Sequence, residues 1–191
     1  MTTLNQPTTD SNFLKNFDDS TKQSRAVLHL QNILVKDEYG SPQDLVLEAC
    51  NRYKINIKID YAGSDKLHVV DRYYTKQDNA LTKEWTEDGY LNAPYSLQYL
   101  FMKHAWEQHK KHKINLLILA YTKSDTEWWH SFVEDKAEVH FIRGRIRFND
   151  ENGIPMVNKD PRSKYYGKPQ VAPYPSCFII YRRSKRFSLF F

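Results

Sequence analysis

The sequence predicts an open α/β sheet, mostly parallel, with helices on both faces and an antiparallel hairpin at one edge. Three observations carry this. Residues 114–121 are a near-continuous apolar run, as expected of a central parallel strand that is covered on both sides. Strand and helix signals alternate along the middle of the chain, the pattern of a layered α/β domain. Two β segments, 138–148 and 176–182, come late and have no helix between them.

Taken in order, residues 1–36 form a polar N-terminal extension rich in Thr, Asn, Asp and Ser, with a short helical spacing over 25–35. The folded domain then spans 37–191. Ser41-Pro42-Gln43-Asp44 offers a cap candidate followed by proline at the first helical position, and Leu45, Val46, Leu47 and Ala49 continue the helix. Residues 55–59 alternate apolar and polar, predicting a strand that ends at Asp60, and 67–74 reads as a weaker second strand. Tyr90-Leu91 is short and strand-like, 97–111 is helical, and 126–133 is helical. In sheets of this class ligands bind outside the carboxyl ends of the strands, and both Asp60 and Asn92 fall at such ends.

The 191 residues are 40% hydrophobic, enough for one domain with a real core. No apolar run approaches the roughly 20 residues of a membrane span, and the expectation is a cytoplasmic protein with no membrane partner. Cys50 and Cys177 fit neither a disulfide framework nor a metal knuckle, so no metal is expected. His104, His109 and His112, interspersed with lysines, read as a solvated basic helix end. The net charge of +5, with Arg182, Arg183, Lys185 and Arg186 in the tail, suits a polyanionic partner. Arg143, Arg145 and Arg147 alternate along the expected strand and share a face, which suits phosphate contact and suits a charged, aggregation-resistant sheet edge equally well. The long polar stretch 149–174 carries Lys159, Arg162, Lys164, Tyr165, Tyr166 and Lys168 and is expected to contact a nucleic acid.

Asn92-Ala93-Pro94-Tyr95 is the most informative motif. As structure alone it is a proline turn after a strand. As chemistry it matches what methylation of an aromatic amine needs. The exocyclic nitrogen of adenine is a poor nucleophile because its lone pair is delocalised into the ring. A rigid carboxamide oxygen and a backbone carbonyl can accept both amine hydrogens, and an aromatic ring can stack on a base taken out of the duplex. Asn92, the carbonyl of Ala93 and Tyr95 supply those parts, and Pro94 holds Ala93 extended.

From Asp37 to about Tyr181 the chain resembles the phage-type, Dam-like DNA N6-adenine methyltransferases. The resemblance covers Asp37-Glu38-Tyr39-Gly40-Ser41-Pro42-Gln43-Asp44-Leu45, Ile59-Asp60-Tyr61-Ala62, Arg72-Tyr73-Tyr74-Thr75, Asp78-Asn79-Ala80-Leu81 and Trp85. It continues through the Asn92 motif with Ser96, Leu116-Leu117-Ile118-Leu119, Thr126-Glu127-Trp128-Trp129-His130, Phe141-Ile142-Arg143-Gly144-Arg145-Ile146-Arg147-Phe148 and Ala172-Pro173-Tyr174-Pro175-Ser176. The resemblance implies a Rossmann-like S-adenosylmethionine-dependent methyltransferase fold, S-adenosylmethionine as cofactor and DNA as partner. Carried over, Ser41 and Pro42 border the methionine end of the cofactor. Asp60 lies near its ammonium, with Ala62 and Gly63 in the turn, and Asp78 faces the adenosine. Phe148 is a candidate second wall for the flipped base, beside its reading as a core aromatic.

Two features depart from the family pattern. The family usually has two prolines in the catalytic motif, and the first is Ala93 here. The glycine-rich loop of larger methyltransferases is reduced to Gly63. Three readings therefore stand side by side: an adenine-N6 methyltransferase on DNA, a methyltransferase for another planar amine (cytosine N4, RNA adenine, a glutamine side chain), and a catalytically inactive nucleic-acid-binding protein. Monomer and dimer both stay open.

Overall fold

The computed structural model describes residues 40–150, 152–159 and 161–183. The N-terminal extension, its helix over 25–35, and Lys185 and Arg186 lie outside the described residues. Helix α1 (Gln43–Tyr53) starts after Pro42, whose carbonyl accepts the first helical bond from Val46 N–H at 3.2 Å. Its buried face is Val46 and Ala49, one turn apart. Lys54, left-handed at φ 55°, ends it. Residues 55–58 are extended and keep the expected alternation, with Ile55 and Ile57 buried and Asn56 and Lys58 exposed. Only Ile59–Asp60 (β1) enters the sheet ladder.

The second expected strand, 67–74, does not form. Tyr73 alone bridges Asp60, through Asp60 N–H to the Arg72 carbonyl (2.9 Å) and Tyr74 N–H to the Asp60 carbonyl (2.8 Å). The physical reason is local: Val69 N–H is taken by the Asp60 carboxylate (3.2 Å) instead of a neighbouring strand. After a 3-10 turn at Ala80–Thr82 come β2 (Gly89–Leu91), a 3-10 turn at Tyr95–Leu97, α2 (Gln98–His112), β3 (Leu116–Tyr121), α3 (Glu127–Phe132), β4 (Glu138–Phe141) and β5 (Ser176–Tyr181).

Among the described residues, five strands form one mixed sheet in the order β1-β2-β3-β5-β4. β1, β2 and β3 are parallel, and β5 is antiparallel to both β3 and β4, so β4 points the same way as β3. The two late segments thus pair antiparallel at one edge of the sheet, with β4 outermost. β5 lies inside the sheet, and residues 142–175 connect the pair. Composition explains the placement. Every residue of Ser-Cys-Phe-Ile-Ile-Tyr in β5 is buried, whereas Glu-Val-His-Phe in β4 is half-buried to exposed and tolerates the edge. β4 also stops at Phe141 instead of reaching Phe148, because Gly144 turns the chain at φ 86°.

Alternate β3 residues feed two cores. Leu116, Ile118 and Ala120 pack with Met102, Ala105, Trp128 and Trp129 of α2 and α3, while Leu117, Leu119 and Tyr121 pack with Val46 and Ala49 of α1. Helices therefore cover both faces, as the apolar run implied. No helix among the described residues is long and apolar enough to cross a membrane. Within the first core, Trp85 stacks on Tyr61 (3.9 Å between centroids, 8° between planes), donates its indole N–H to the Ala80 carbonyl, and is fully buried.

Gly89 is the close approach that lets Tyr61 seat there. A Cβ at that position would lie 2.3 Å from Cε2 of Tyr61 and 2.9 Å from the Ile59 carbonyl oxygen. Gly89→Ala is expected to destabilise the fold by about 1–3 kcal/mol through overpacking. Urea unfolding monitored by tryptophan fluorescence measures this, and an unchanged midpoint would refute the packing role.

Candidate active site

Asp60 and the Asn92 motif lie at the carboxyl ends of the adjacent parallel strands β1 and β2, beside the end of β3. Asp60 ends β1 and is 4% exposed. Its Oδ1 accepts Ala62 N–H (3.1 Å) and its Oδ2 accepts Val69 N–H (3.2 Å), so one side chain fixes both ends of the turn that follows. Gly63 lets that turn lie against Tyr73, since an added Cβ would sit 2.9 Å from the Tyr73 Cβ. Burial pushes the Asp60 carboxyl up to about 6, against the smaller opposing pull of the two amides and His68.

Asn92 follows β2 directly, and Ala93 is buried behind it. Pro94, at φ −52° and ψ 132°, then opens the 3-10 turn into α2, accepting Leu97 N–H at 2.9 Å. The motif is thus a strand-to-helix crossing with its backbone pinned from both sides. The Asn92 Nδ2 donates to Ser41 Oγ at 3.0 Å, and that hydroxyl lies 2.7 Å from the Tyr90 hydroxyl. Ser41 therefore does not cap α1: its side chain turns to the motif. Tyr90 is 1% exposed, and burial raises its phenol well above the usual range, with the nearby Asp60 charge adding to the effect. Tyr90 is the residue that sequence reasoning missed. Its signal was there, because Tyr90 and Asn92 are two apart at a strand end and share a side.

Tyr95 is half-buried and stacks on Tyr121, the last residue of β3 (3.9 Å, 13°). Tyr121 in turn meets Tyr174 edge-on, and the Lys123 ammonium lies 4.5 Å over the Tyr174 ring. An aromatic ledge runs from the motif to the end of the 149–174 stretch. Asp78 is exposed and closes a turn with Thr75, accepting from its N–H and its hydroxyl (2.8 Å each), which holds the carboxyl below the usual range. The residue capping the short 3-10 helix is Asn79.

Phe148 is 5% exposed within the α1-face core, where Tyr95 packs at the margin. Its placement is that of a core aromatic. Arg143, Arg145 and Arg147 keep their common exposure, but on an irregular segment and not along a strand. Arg143 and Arg145 border a shallow concavity shared with Pro42, Leu45, Ile142 and Ile146. Tyr165 and Tyr166 are exposed at the far part of the 149–174 stretch. That stretch is folded upon itself: Met156 N–H bonds the Phe148 carbonyl, Gln170 N–H the Met156 carbonyl, and Ala172 N–H the Ile146 carbonyl. Its base is tied to the site, because Gly40 and Asn149 exchange both backbone hydrogen bonds at 3.0 Å.

The α2 histidines are not a solvated cluster. The Nδ1 of His109 bonds the Ile114 carbonyl (2.7 Å) and its ring stacks on Tyr181, while His104 Nε2 bonds the Lys83 carbonyl.

A family model described as DNA N-6-adenine-methyltransferase (Dam) matches residues 30–184. A protein of Escherichia phage T1, named DNA N-6-adenine-methyltransferase, is 27% identical over 114 residues, covering 59% of this chain and 47% of the phage protein. A protein of the same name from Haemophilus phage HP1 (strain HP1c1) is 27% identical over 145 residues, covering 74% of this chain and 83% of its own. The chain spans about half the length of the T1 protein it matches. No solved structure matches.

The Asp60 carboxyl gives the site a pH signature. Its proton is held more tightly in the folded chain than in the unfolded one, so the stability it confers is complete below the ordinary aspartate range and is lost as pH rises to about 6. Relative to Asp60→Asn, the parent is expected to lose on the order of 1–3 kcal/mol between pH 4 and 6 and then stay level. Urea titrations of both proteins across that range measure the difference. A parallel pair of curves would mean the carboxyl is not strained by burial.

Proposed function

The chain belongs to the DNA N-6-adenine-methyltransferase (Dam) family, and on that footing we propose that it transfers a methyl group from S-adenosylmethionine to the exocyclic N6 of adenine in DNA. The reading is supported most by the position of the Asn92 motif: a carboxamide, a backbone carbonyl and an aromatic ring at the carboxyl end of β2, between two parallel strands and a helix. We read the sheet as Rossmann-like, with β5 reversed against the other strands of the described residues.

The residues present fit the methyl donor on one observation. Asp60 is a buried carboxyl whose oxygens accept two backbone amides and, among the described residues, make no ion pair, and its cost of ionisation falls when a ligand ammonium is placed beside it. Asp60 would hold that ammonium, Ala62 and Gly63 would line the turn, the backbone of Ser41 and Pro42 would border the same end while the Ser41 hydroxyl stays on Asn92, and Asp78 would reach the adenosine hydroxyls. The donor, once bound, supplies an electrophilic methyl carbon. The protein's own part is to prepare the nucleophile. Asn92 Oδ1 and the Ala93 carbonyl accept the two hydrogens of the adenine amine and draw its lone pair out of the ring. Tyr95, braced by Tyr121, stacks on the base. Ala93 has the same carbonyl that proline would have, and Pro94 supplies the restraint from the other side.

DNA contact falls to Arg143 and Arg145 beside the concavity and to Tyr165 and Tyr166 on the folded 149–174 stretch, with Phe148 as backing for the base pocket. The exposed Lys164 ammonium, 5.0 Å over the Tyr165 ring, adds charge to that surface.

Two measurements test this. With labelled donor and unmethylated DNA, digestion should yield N6-methyladenine. Asn92→Ala is expected to slow single-turnover methylation by about 10²–10³ while still binding donor. Tyr95→Ala should be severe and Tyr95→Phe mild, because stacking survives loss of the hydroxyl. An Asn92→Ala protein as fast as the parent would remove the motif from the mechanism, and a parent that binds DNA without methylating it would favour the binding-protein reading. Separately, replacing Arg143 and Arg145 with Ala should lower the slope of log affinity against log salt by about 1–2, at roughly 0.9 per lost phosphate contact. Donor affinity should be unaffected. An unchanged salt slope would take both arginines out of the DNA interface.

A further inference from the structure

A carboxamide has a donor end and an acceptor end related by a half-turn, and only one orientation serves the proposed reaction. With Oδ1 toward the adenine amine, Asn92 accepts a hydrogen. Turned over, it presents N–H to N–H, and the contact becomes repulsive. Something must therefore hold the amide.

The Asn92 amide nitrogen donates to Ser41, whose Oγ accepts from Nδ2 at 3.0 Å. We propose that Ser41, backed by Tyr90, is a positioning residue for Asn92, fixing the amide nitrogen so that Oδ1 is presented to the target amine. The chemical purpose rests on the adenine-methylation reading; the orientation itself does not. Several features make Ser41 a rigid anchor. Its hydroxyl lies 2.7 Å from the hydroxyl of Tyr90, which is buried in β2 between its partners Asp60 and Leu117. Gly40 before it is clamped by the two backbone bonds to Asn149, and Pro42 after it has a fixed φ of −58° and opens α1. The hydroxyl has one hydrogen and two lone pairs, enough to receive the amide and share a bond with the phenol. This role differs from the cofactor border expected for Ser41, and the two are separable by experiment.

The test uses the full chain and the variants Ser41→Ala, Ser41→Thr and Tyr90→Phe. At saturating donor, Ser41→Ala is expected to slow single-turnover methylation of adenine-containing DNA by roughly 10- to 100-fold through misorientation. Its donor affinity, by calorimetry, should change less than about threefold, and Ser41→Thr should regain most of the rate because the hydroxyl returns. Tyr90→Phe should move the rate in the same direction by less. Independently of activity, the side-chain amide signals of Asn92 in a 15N-labelled protein should show one slowly exchanging hydrogen in the parent. Ser41→Ala should speed that exchange by about tenfold or more as the bond is lost.

Donor affinity falling by the same factor as the rate would make Ser41 a cofactor contact and overturn the proposal. So would an Asn92 amide whose exchange is indifferent to both Ser41→Ala and Tyr90→Phe. A parent that does not methylate would sink the functional reading, while the exchange measurement would still decide whether Ser41 holds the amide.

Discussion

The Asp60 side chain and its backbone together hold the carboxyl end of the sheet in place. Its N–H and carbonyl tie β1 to residues 72–74, and its carboxylate oxygens take the amides of Ala62 and Val69. Its strand partner in β2 is Tyr90, the residue that touches Ser41. Without that carboxylate the turn after β1 loses the acceptor of the part-buried Ala62 amide and of the buried Val69 amide, the latter a loss of about 1–3 kcal/mol. A short strand of two residues survives because one of them bonds in so many directions.

The same residue illustrates how a site tolerates local cost. Burial makes the carboxyl reluctant to ionise, and the amides around it offset only part of that reluctance. A group of this kind at a strand's carboxyl end is a recognised mark of a functional position, although structural networks produce it too. The motif beside it follows a different logic. Asn92 and Tyr95 are half-buried and each is held by a neighbour: Ser41 for the amide, Tyr121 for the ring.

Much of the architecture was legible because it depends on periodicity. The apolar run of β3 announced a strand covered on both sides, and the alternation of Ile55, Ile57 and Ile59 marked the approach to Asp60 even where no ladder forms. What escaped depends on single atoms and on distant pairs. Val69 N–H goes to a carboxylate, so an apparent strand over 67–74 becomes a loop. Gly144 at a positive φ cuts short a segment whose side-chain alternation continues past it. The bond between Ser41 and Asn92 spans 51 positions, and no local pattern encodes it. The histidines of α2 looked solvated by their lysine neighbours, yet His109 is stacked on an aromatic from β5.

The interior position of β5 has a consequence for the order in which the molecule is built. β3 and β4 do not touch in the sheet: each finds its neighbour only when the strand between them arrives, and that strand is encoded after the whole 142–175 excursion. As the chain emerges from the ribosome, β1, β2 and β3 can pair and collect their helices, but one edge of β3 stays open, with its backbone N–H and C=O groups unpaired. Contacts of such long sequence separation close slowly, since the loop entropy is lost before the contact returns anything. The last strand therefore acts as a keystone laid at the end, and the period before it arrives is when the nascent domain is most exposed to aggregation and to proteases.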